Sequence, residues 1–139
     1  MIGLVVATHG GLAEALLRTA EGIAGPLERC EAVSVGAGSS MEDARERLHA
    51  AIRRVDAGDG VLVLTDMFGG TPANLALTFL DEKVEVVTGV NLPMILKLAT
   101  ARNDPGALAA AAEAAAAYGQ KNITLASALL RQRVKATPR

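Results

Sequence analysis

Apolar runs alternate with apolar stripes at helical spacing along most of this chain. Residues 2–7 form an unbroken apolar run, too uniform for a half-exposed strand, and so predict a parallel strand buried on both faces. Behind it, Leu12, Leu16, Ala20, Ile23 and Ala24 recur at helical spacing until Gly25-Pro26 closes the segment. Residues 30–36 alternate apolar and polar positions and read as a second strand, nearer a sheet edge. Ser40 is placed to cap the next helix, with Asp43 in a weak capping-box position, and Ala44, Leu48, Ala51, Ile52 and Val55 form its apolar stripe. Residues 61–65 are as apolar as the first run and predict a central third strand. Pro72 suits a first helical turn, where its missing N–H is not needed, and a helix follows over about residues 73–80. Residues 84–88 give a fourth strand, and Pro93 opens a helix through Ile95, Leu96, Leu98 and Ala99. Pro105 and Gly106 precede an alanine tract over residues 108–117. Its composition favours a helix over a linker, with Gly119 as the expected stop. Residues 123–130 read equally as a last strand or a short helix. Residues 131–139 are basic, contain a proline and are expected to fray.

Four strands alternating with helices imply an α/β fold: one doubly wound parallel sheet covered by helices on both faces. The flavodoxin-like order 2-1-3-4 is adopted as the working topology, with an optional antiparallel edge strand at the C-terminal end. A chain of 139 residues, half of them hydrophobic, is long enough for one sizeable core and too short for two ordinary domains. The expected organisation is one domain over residues 1–130 and a basic tail over 131–139.

Composition then removes several classes of function. The formal net charge is −1, from 14 basic and 15 acidic residues, and there are one Tyr, two Phe and no Trp. Neither the electrostatic footprint nor the stacking platforms of a nucleic-acid binder are present. No apolar segment reaches the roughly 20 residues needed to span a bilayer, and the N-terminus lacks a signal peptide's basic region. A cytoplasmic protein is the expectation. The single Cys30 has no intrachain partner and no metal-ligand spacing around it, and is expected to be a buried, inert thiol. Two histidines and one cysteine, far apart, argue against a transition-metal site, and nothing calls for a cofactor.

His9 is the residue that points to chemistry. It ends the first strand in Thr8-His9-Gly10-Gly11 and immediately precedes a helix. In open α/β sheets that position lies in the crevice where ligands bind, and the free N–H groups of the helix start face any anion there. Alone, His9 reads better as a polar strand end held by one hydrogen bond. Gly10 and Gly11 shift the balance by allowing a bulky group near the backbone, and Thr8 by adding a hydroxyl. Asp66 holds the same place after the third strand and, in the 2-1-3-4 order, its carboxylate can reach the His9 ring. A carboxylate accepting from Nδ1–H would leave the Nε2 lone pair free as a nucleophile. The alternative for Asp66, a cap on the turn before Gly69-Gly70, is equally good in isolation. Gly69, Gly70 and Thr71 resemble an anion cradle, and no Lys or Arg lies in either loop. Met67, Phe68 and Met94 are candidates for an apolar docking rim around His9, whereas Leu92 is expected to face inward.

Other signals fail. The stretch Gly36-Ala37-Gly38-Ser39-Ser40 lacks the third glycine of a dinucleotide fingerprint and the Lys of a P-loop, and reads as a turn. No Gly-x-Ser-x-Gly elbow occurs. His49 sits among charged residues of a helix and reads as solvated surface.

Three motifs occur together in order: Thr8-His9-Gly10, Asp66-x-x-Gly69-Gly70-Thr71-Pro72 and Gly89-Val90-Asn91-Leu92-Pro93-Met94. The set resembles the enzyme IIA component of the mannose family of the bacterial sugar phosphotransferase system, over about residues 1–118. The resemblance implies the 2-1-3-4 parallel order, a phosphohistidine at Nε2 of His9 with Asp66 as its hydrogen-bonding partner, and Thr8 and Thr71 as phosphate holders. It implies the phosphocarrier HPr as donor and a IIB component as acceptor, contact with a membrane only through a transporter partner, and a homodimer. In the family a swapped C-terminal strand accompanies dimerisation, but residues after Tyr118 match least. A branch that donates phosphate to dihydroxyacetone kinase lacks the Gly-Gly-Thr/Ser-Pro motif found here and ranks lower. The alternative to a transport carrier is a regulatory phosphoprotein of the same fold, whose phosphorylation state is its output. A small-molecule binder that leaves His9 unmodified ranks third.

Overall fold

The computed structural model describes residues 1–36, 38–103 and 106–136. Strands β1 (Gly3–His9), β2 (Cys30–Val35), β3 (Val61–Thr65) and β4 (Val84–Thr88) form one parallel sheet in the order β2-β1-β3-β4. Helices α1 (Leu12–Ala24), α2 (Met41–Val55), α3 (Thr71–Leu77), α4 (Leu92–Ala101), α5 (Leu108–Lys121) and α6 (Ala126–Ala136) complete the described chain.

The alternation of side chains along each strand divides the core in two. Leu4, Val6, Leu62 and Leu64 pack on one face with α1, α4 and α5, while Val5, Ala7, Val61 and Val63 pack on the other with α2 and α3. β1 and β3 are buried on both faces, which is why their sequences are apolar without interruption. β2 lies at an edge, as its mixed sequence predicts. Ser40 caps α2 by accepting the Asp43 N–H at 3.0 Å.

The two ends of the sheet are organised differently. At the amino end, buried Arg102 donates to the carbonyls of Ile2, Arg29 and Glu28, tying the end of α4 to the starts of β1 and β2. Burial outweighs the lowering effect of this guanidinium on Cys30, whose thiol is pushed up; the side chain is half-buried. The carboxyl end is left open, and the candidate site residues His9 and Asp66 meet there.

Several expectations need correction. In α1 the buried residues are Ala13, Leu17 and Ala20, whereas Leu12, Ile23 and Ala24 are exposed. The helix carries apolar residues over most of its circumference, and packing selects the side with small alanines against the sheet. α3 starts two residues early, at Thr71, and stops at Leu77, after which the Thr78 hydroxyl donates back to the Leu75 carbonyl. Gly119 does not end α5, which runs to Lys121. A Cβ at Gly119 would lie 2.6 Å from Met94 Cε, so glycine serves there to let α4 and α5 approach. Residues 126–136 form α6 and add no edge strand, in keeping with their helix-forming Ala, Leu, Arg, Gln and Lys. Residues 131–136, expected to fray, continue that helix, and residues 137–139 lie outside the described part. Pro105 and Ala37 also fall outside it. On either side of Ala37, the Ser39 N–H is donated to the Gly36 carbonyl at 3.1 Å.

Among the described residues, no helix is long and apolar enough to cross a membrane. No group of three or more His, Cys, Asp and Glu lies among them in metal-ligating arrangement.

Candidate functional site

β1 and β3 end side by side, with Ala7 paired to Thr65. Just past that last pair, the side chain of Asp66 crosses to the first strand's end. Its Oδ2 accepts the backbone N–H of His9 at 3.1 Å and lies 2.8 Å from Nδ1 of the His9 ring. Its Oδ1 accepts the Met67 N–H at 3.1 Å. Because an ionised carboxylate only accepts, the ring proton is placed on Nδ1 and the lone pair on Nε2. Partial burial by itself raises the Asp66 carboxyl. The hydrogen bonds from the His9 ring and backbone and the charge of a protonated ring outweigh it, so Asp66 is held below the usual carboxylate range.

The His9 side chain is 46% exposed, and Asp66 beneath it is 15% exposed. The ring therefore lies at the rim of the fold, with its orienting group sheltered. Gly70 makes this possible: a Cβ there would lie 2.6 Å from Cε1 and 3.3 Å from Nε2 of His9. Gly70 has φ −82°, which any residue adopts, so the requirement is for space alone. Gly10 and Gly69, at φ +52° and +84°, take left-handed conformations that favour glycine.

Beside the ring is an open cleft of about 470 Å³, lined by His9, Gly10, Val35, Gly36, Ser39, Ser40, Met41, Ala44 and Thr71. Among the described residues, no charged side chain lines it. Thr71, at the first position of α3, has no hydrogen-bond partner for its hydroxyl among the described residues and faces this cleft.

Three expected site residues are differently employed. Thr8 is fully buried: its hydroxyl accepts the Ala13 N–H at 2.7 Å and donates to the His9 carbonyl at 3.1 Å. The N-cap residue of α1 is Gly11, with no side chain to cap the helix, and Thr8 supplies the missing acceptor. It supports the loop that carries His9 and does not reach the cleft. The Gly10 N–H is already donated to the Val35 carbonyl at 3.2 Å. Gly10 lines the cleft but has no N–H free to hold an anion. Met94, expected on the rim, is 2% exposed, because α4 turns it inward against Gly119. Leu92 is half-buried against the same core.

Met67 and Phe68 are exposed beside the site, Phe68 to 77%. Two further exposed apolar residues, Leu12 and Met41, stand at the first positions of α1 and α2. The turn before α2 was legible as a turn but not as a wall of the cleft, which only the pairing of His9 with Val35 reveals. His49 is exposed, but it also stacks on Phe79 with ring centroids 5.1 Å apart, and Arg45 lies 4.9 Å from the centre of that same ring.

Comparison with known proteins identifies relatives of this arrangement. The family model described as "PTS system fructose IIA component" matches residues 3–116. The chain is 38% identical over 105 residues to the mannose-specific EIIAB component of Escherichia coli strain K12, a match covering 74% of this chain and 32% of that protein. The chain thus spans about a third of the length of that relative. It is 33% identical over 104 residues to the fructose-specific EIIA component of Bacillus subtilis, covering 73% of this chain and 71% of the other. Among solved structures, the EIIA component from Streptococcus agalactiae superposes with a TM-score of 0.82 at 27% identity, over 92% of this chain and 99% of that one. The mannose/sorbose-specific IIA subunit from Enterococcus faecalis gives 0.79 at 29% identity, over 88% and 92%.

Proposed function

The chain belongs to the mannose-family IIA components of the sugar phosphotransferase system, and from that premise we propose that it is a phosphoryl carrier working through His9. The donor in this reading is phospho-HPr and the acceptor a IIB component. The observation that carries it is the 2.8 Å contact between Asp66 Oδ2 and His9 Nδ1, with the ring edge left open to a cleft.

In the first step the Nε2 lone pair attacks phosphorus, and the bond from phosphorus to the donor's nitrogen breaks. The imidazole becomes cationic, and Asp66 stabilises that charge while holding the ring in place. In the second step the acceptor's nucleophile attacks phosphorus, the P–Nε2 bond breaks, and His9 returns to its neutral tautomer. No group is consumed, and neither step needs a cofactor. Gly69, Gly70 and Thr71 are the cradle in this reading, through backbone dipoles and a hydroxyl. With no Lys or Arg in the cleft, the phosphoryl group is held lightly enough to be passed on. Thr8 and Gly10 act on the loop beneath.

The exposed Met67 and Phe68 provide an apolar patch against which two partners dock in turn. The carrier is cytoplasmic in this reading and meets a membrane only through its transporter partner. A homodimer is part of it too, supported by the exposed apolar residues Ile123, Leu125, Leu129, Leu130 and Val134 in the C-terminal segment.

The test is a chase. The phosphorylated chain, freed of donor, is mixed with purified IIB component, and both are weighed as intact proteins. A carrier loses its phosphoryl group to the IIB component within minutes. A phosphoryl group that stays on this chain would favour the regulatory alternative.

A further inference from the structure

Among the hydroxyls that line the cleft beside His9, one besides that of Thr71 has no hydrogen-bond partner among the described residues. Thr8 and Thr71 flank His9 in the two motif loops, and Ser39 and Ser40 line the cleft beside it. The Thr8 hydroxyl is buried and holds the start of α1. The Ser40 hydroxyl accepts the Asp43 N–H at 3.0 Å and holds the start of α2. Thr71 already belongs to the cradle on the β3–α3 side. Ser39 is exposed, lines the same cleft as His9, and its hydroxyl has no hydrogen-bond partner among the described residues.

Its position is fixed by the sheet. His9 pairs with Val35, and the Gly10 N–H bonds to the Val35 carbonyl, so the β1–α1 and β2–α2 loops run side by side. The turn closed by the Ser39 N–H on the Gly36 carbonyl then brings Ser39 to the cleft wall formed by the β2–α2 loop. A phosphoryl group on Nε2 carries charge on its oxygens, and no cation lines the cleft to meet it. The Ser39 hydroxyl is an unspent side-chain donor on this wall.

We propose that Ser39 is a second phosphoryl-contacting hydroxyl, donating from the β2–α2 loop to the phosphoryl group on His9 while Thr71 donates from the β3–α3 loop. This inference rests on the carrier reading above. The covalent chemistry is unchanged: phosphorus moves from the donor's nitrogen to Nε2, and the Ser39 proton stays on its oxygen throughout.

The experiment measures the initial rate of phosphorylation by phosphoenolpyruvate, enzyme I and HPr for the full chain and for Ser39→Ala, Ser39→Thr and Ser39→Asp. Circular dichroism checks the fold of each. Loss of one hydrogen bond to a charged group should slow Ser39→Ala about tenfold. Ser39→Thr keeps the hydroxyl and should return the rate to within about twofold of the wild type, an outcome that a merely structural role would not give. Ser39→Asp places a carboxylate against the phosphoryl oxygens and should be slower than Ser39→Ala. The ³¹P resonance of the phosphohistidine should move between wild type and Ser39→Ala. Normal rates in both Ser39→Ala and Ser39→Asp would overturn the assignment, as would a Ser39→Thr rate no faster than that of Ser39→Ala. His9→Ala, run in parallel, separates the two readings: if it still accepts phosphate the carrier reading itself fails, whatever Ser39 does.

Discussion

Gly70 and His9 share one space: a single carbon added to Gly70 would lie 2.6 Å from Cε1 of the His9 ring. The ring lies against backbone on that side and is hydrogen-bonded to Asp66 through Nδ1. The space beside Gly70 thus sets the position of the ring as much as the carboxylate does. Gly70→Ala should push the ring off Asp66 Oδ2 and slow phosphorylation on the order of 100-fold, since small misplacements of a reacting group are costly. The backbone at Gly70 tolerates alanine, so the melting temperature should change little. Rate and melting curve, measured together, check this; an unchanged rate would show that the ring has room to spare.

Asp66→Asn keeps shape and hydrogen-bonding capacity but lets the ring adopt the other tautomer and removes the counter-charge. By analogy with other orienting carboxylates, the rate should fall by about 10²–10⁴-fold with the fold intact. Stopped reactions analysed by intact mass would give the rate.

The same residue sets a pH dependence. Asp66 has a folded-state pKa below its unfolded value, near 3.9 for a free aspartate. Its ionised form therefore stabilises the fold above about pH 4, and that contribution is lost as pH falls through the lower folded value. Asp66→Asn has no such dependence. Urea unfolding of both proteins should show a stability gap that is steady at neutral pH and narrows below about pH 4. A gap that is constant down to pH 2 would contradict the assignment.

Thr8 separates support from chemistry. Thr8→Val keeps the volume but leaves the buried Ala13 N–H without its acceptor, which should cost about 1–3 kcal/mol of stability. The phosphorylation rate below the melting transition should fall only modestly. A variant of normal stability that no longer accepts phosphate would mean that Thr8 touches the phosphoryl group after all.

Phe68 and Met94 form a matched pair of tests for the docking surface. Phe68→Asp, at an exposed position, should raise the HPr concentration needed for half-maximal rate without altering the melting curve. Met94→Ala, in the core, should cost about 2–5 kcal/mol and leave the HPr dependence of the folded protein unchanged. The reverse pattern would move the docking surface to another face.

The reach of the sequence was uneven. The places of His9 and Asp66 at the ends of β1 and β3 were legible, but their pairing followed only from the 2-1-3-4 order, which the pattern of the chain left as an assumption and the family resemblance implied. β1 and β3 were legible because burial on both faces leaves apolar runs, and β2 because an edge strand alternates apolar and polar positions. Thr8 was misjudged because its employment depends on what Gly11 lacks, a capping side chain, and that only matters once the helix start is placed. Met94 was misjudged because it lies close in sequence to a loop motif, while the helix it belongs to rotates it inward. Gly119 looked like a helix stop, and its purpose appeared only when Met94 was seen against it. Ser39 and Met41 join the site through the β1–β2 register, a long-range fact that no local pattern carries. The end of the chain, where strand and helix readings balanced, was settled by propensity in favour of α6.

In the carrier reading proposed above, His9 and no other residue takes the phosphoryl group. The most direct measurement incubates the chain with phosphoenolpyruvate, enzyme I and HPr, weighs it intact, and maps the phosphate by fragmentation under conditions that preserve phosphohistidine. The expected outcome is one phosphoryl group per chain, located on His9, absent from His9→Ala and retained in His49→Ala. A phosphate mapped to any other residue, or a His9→Ala protein that still gains one, would contradict it.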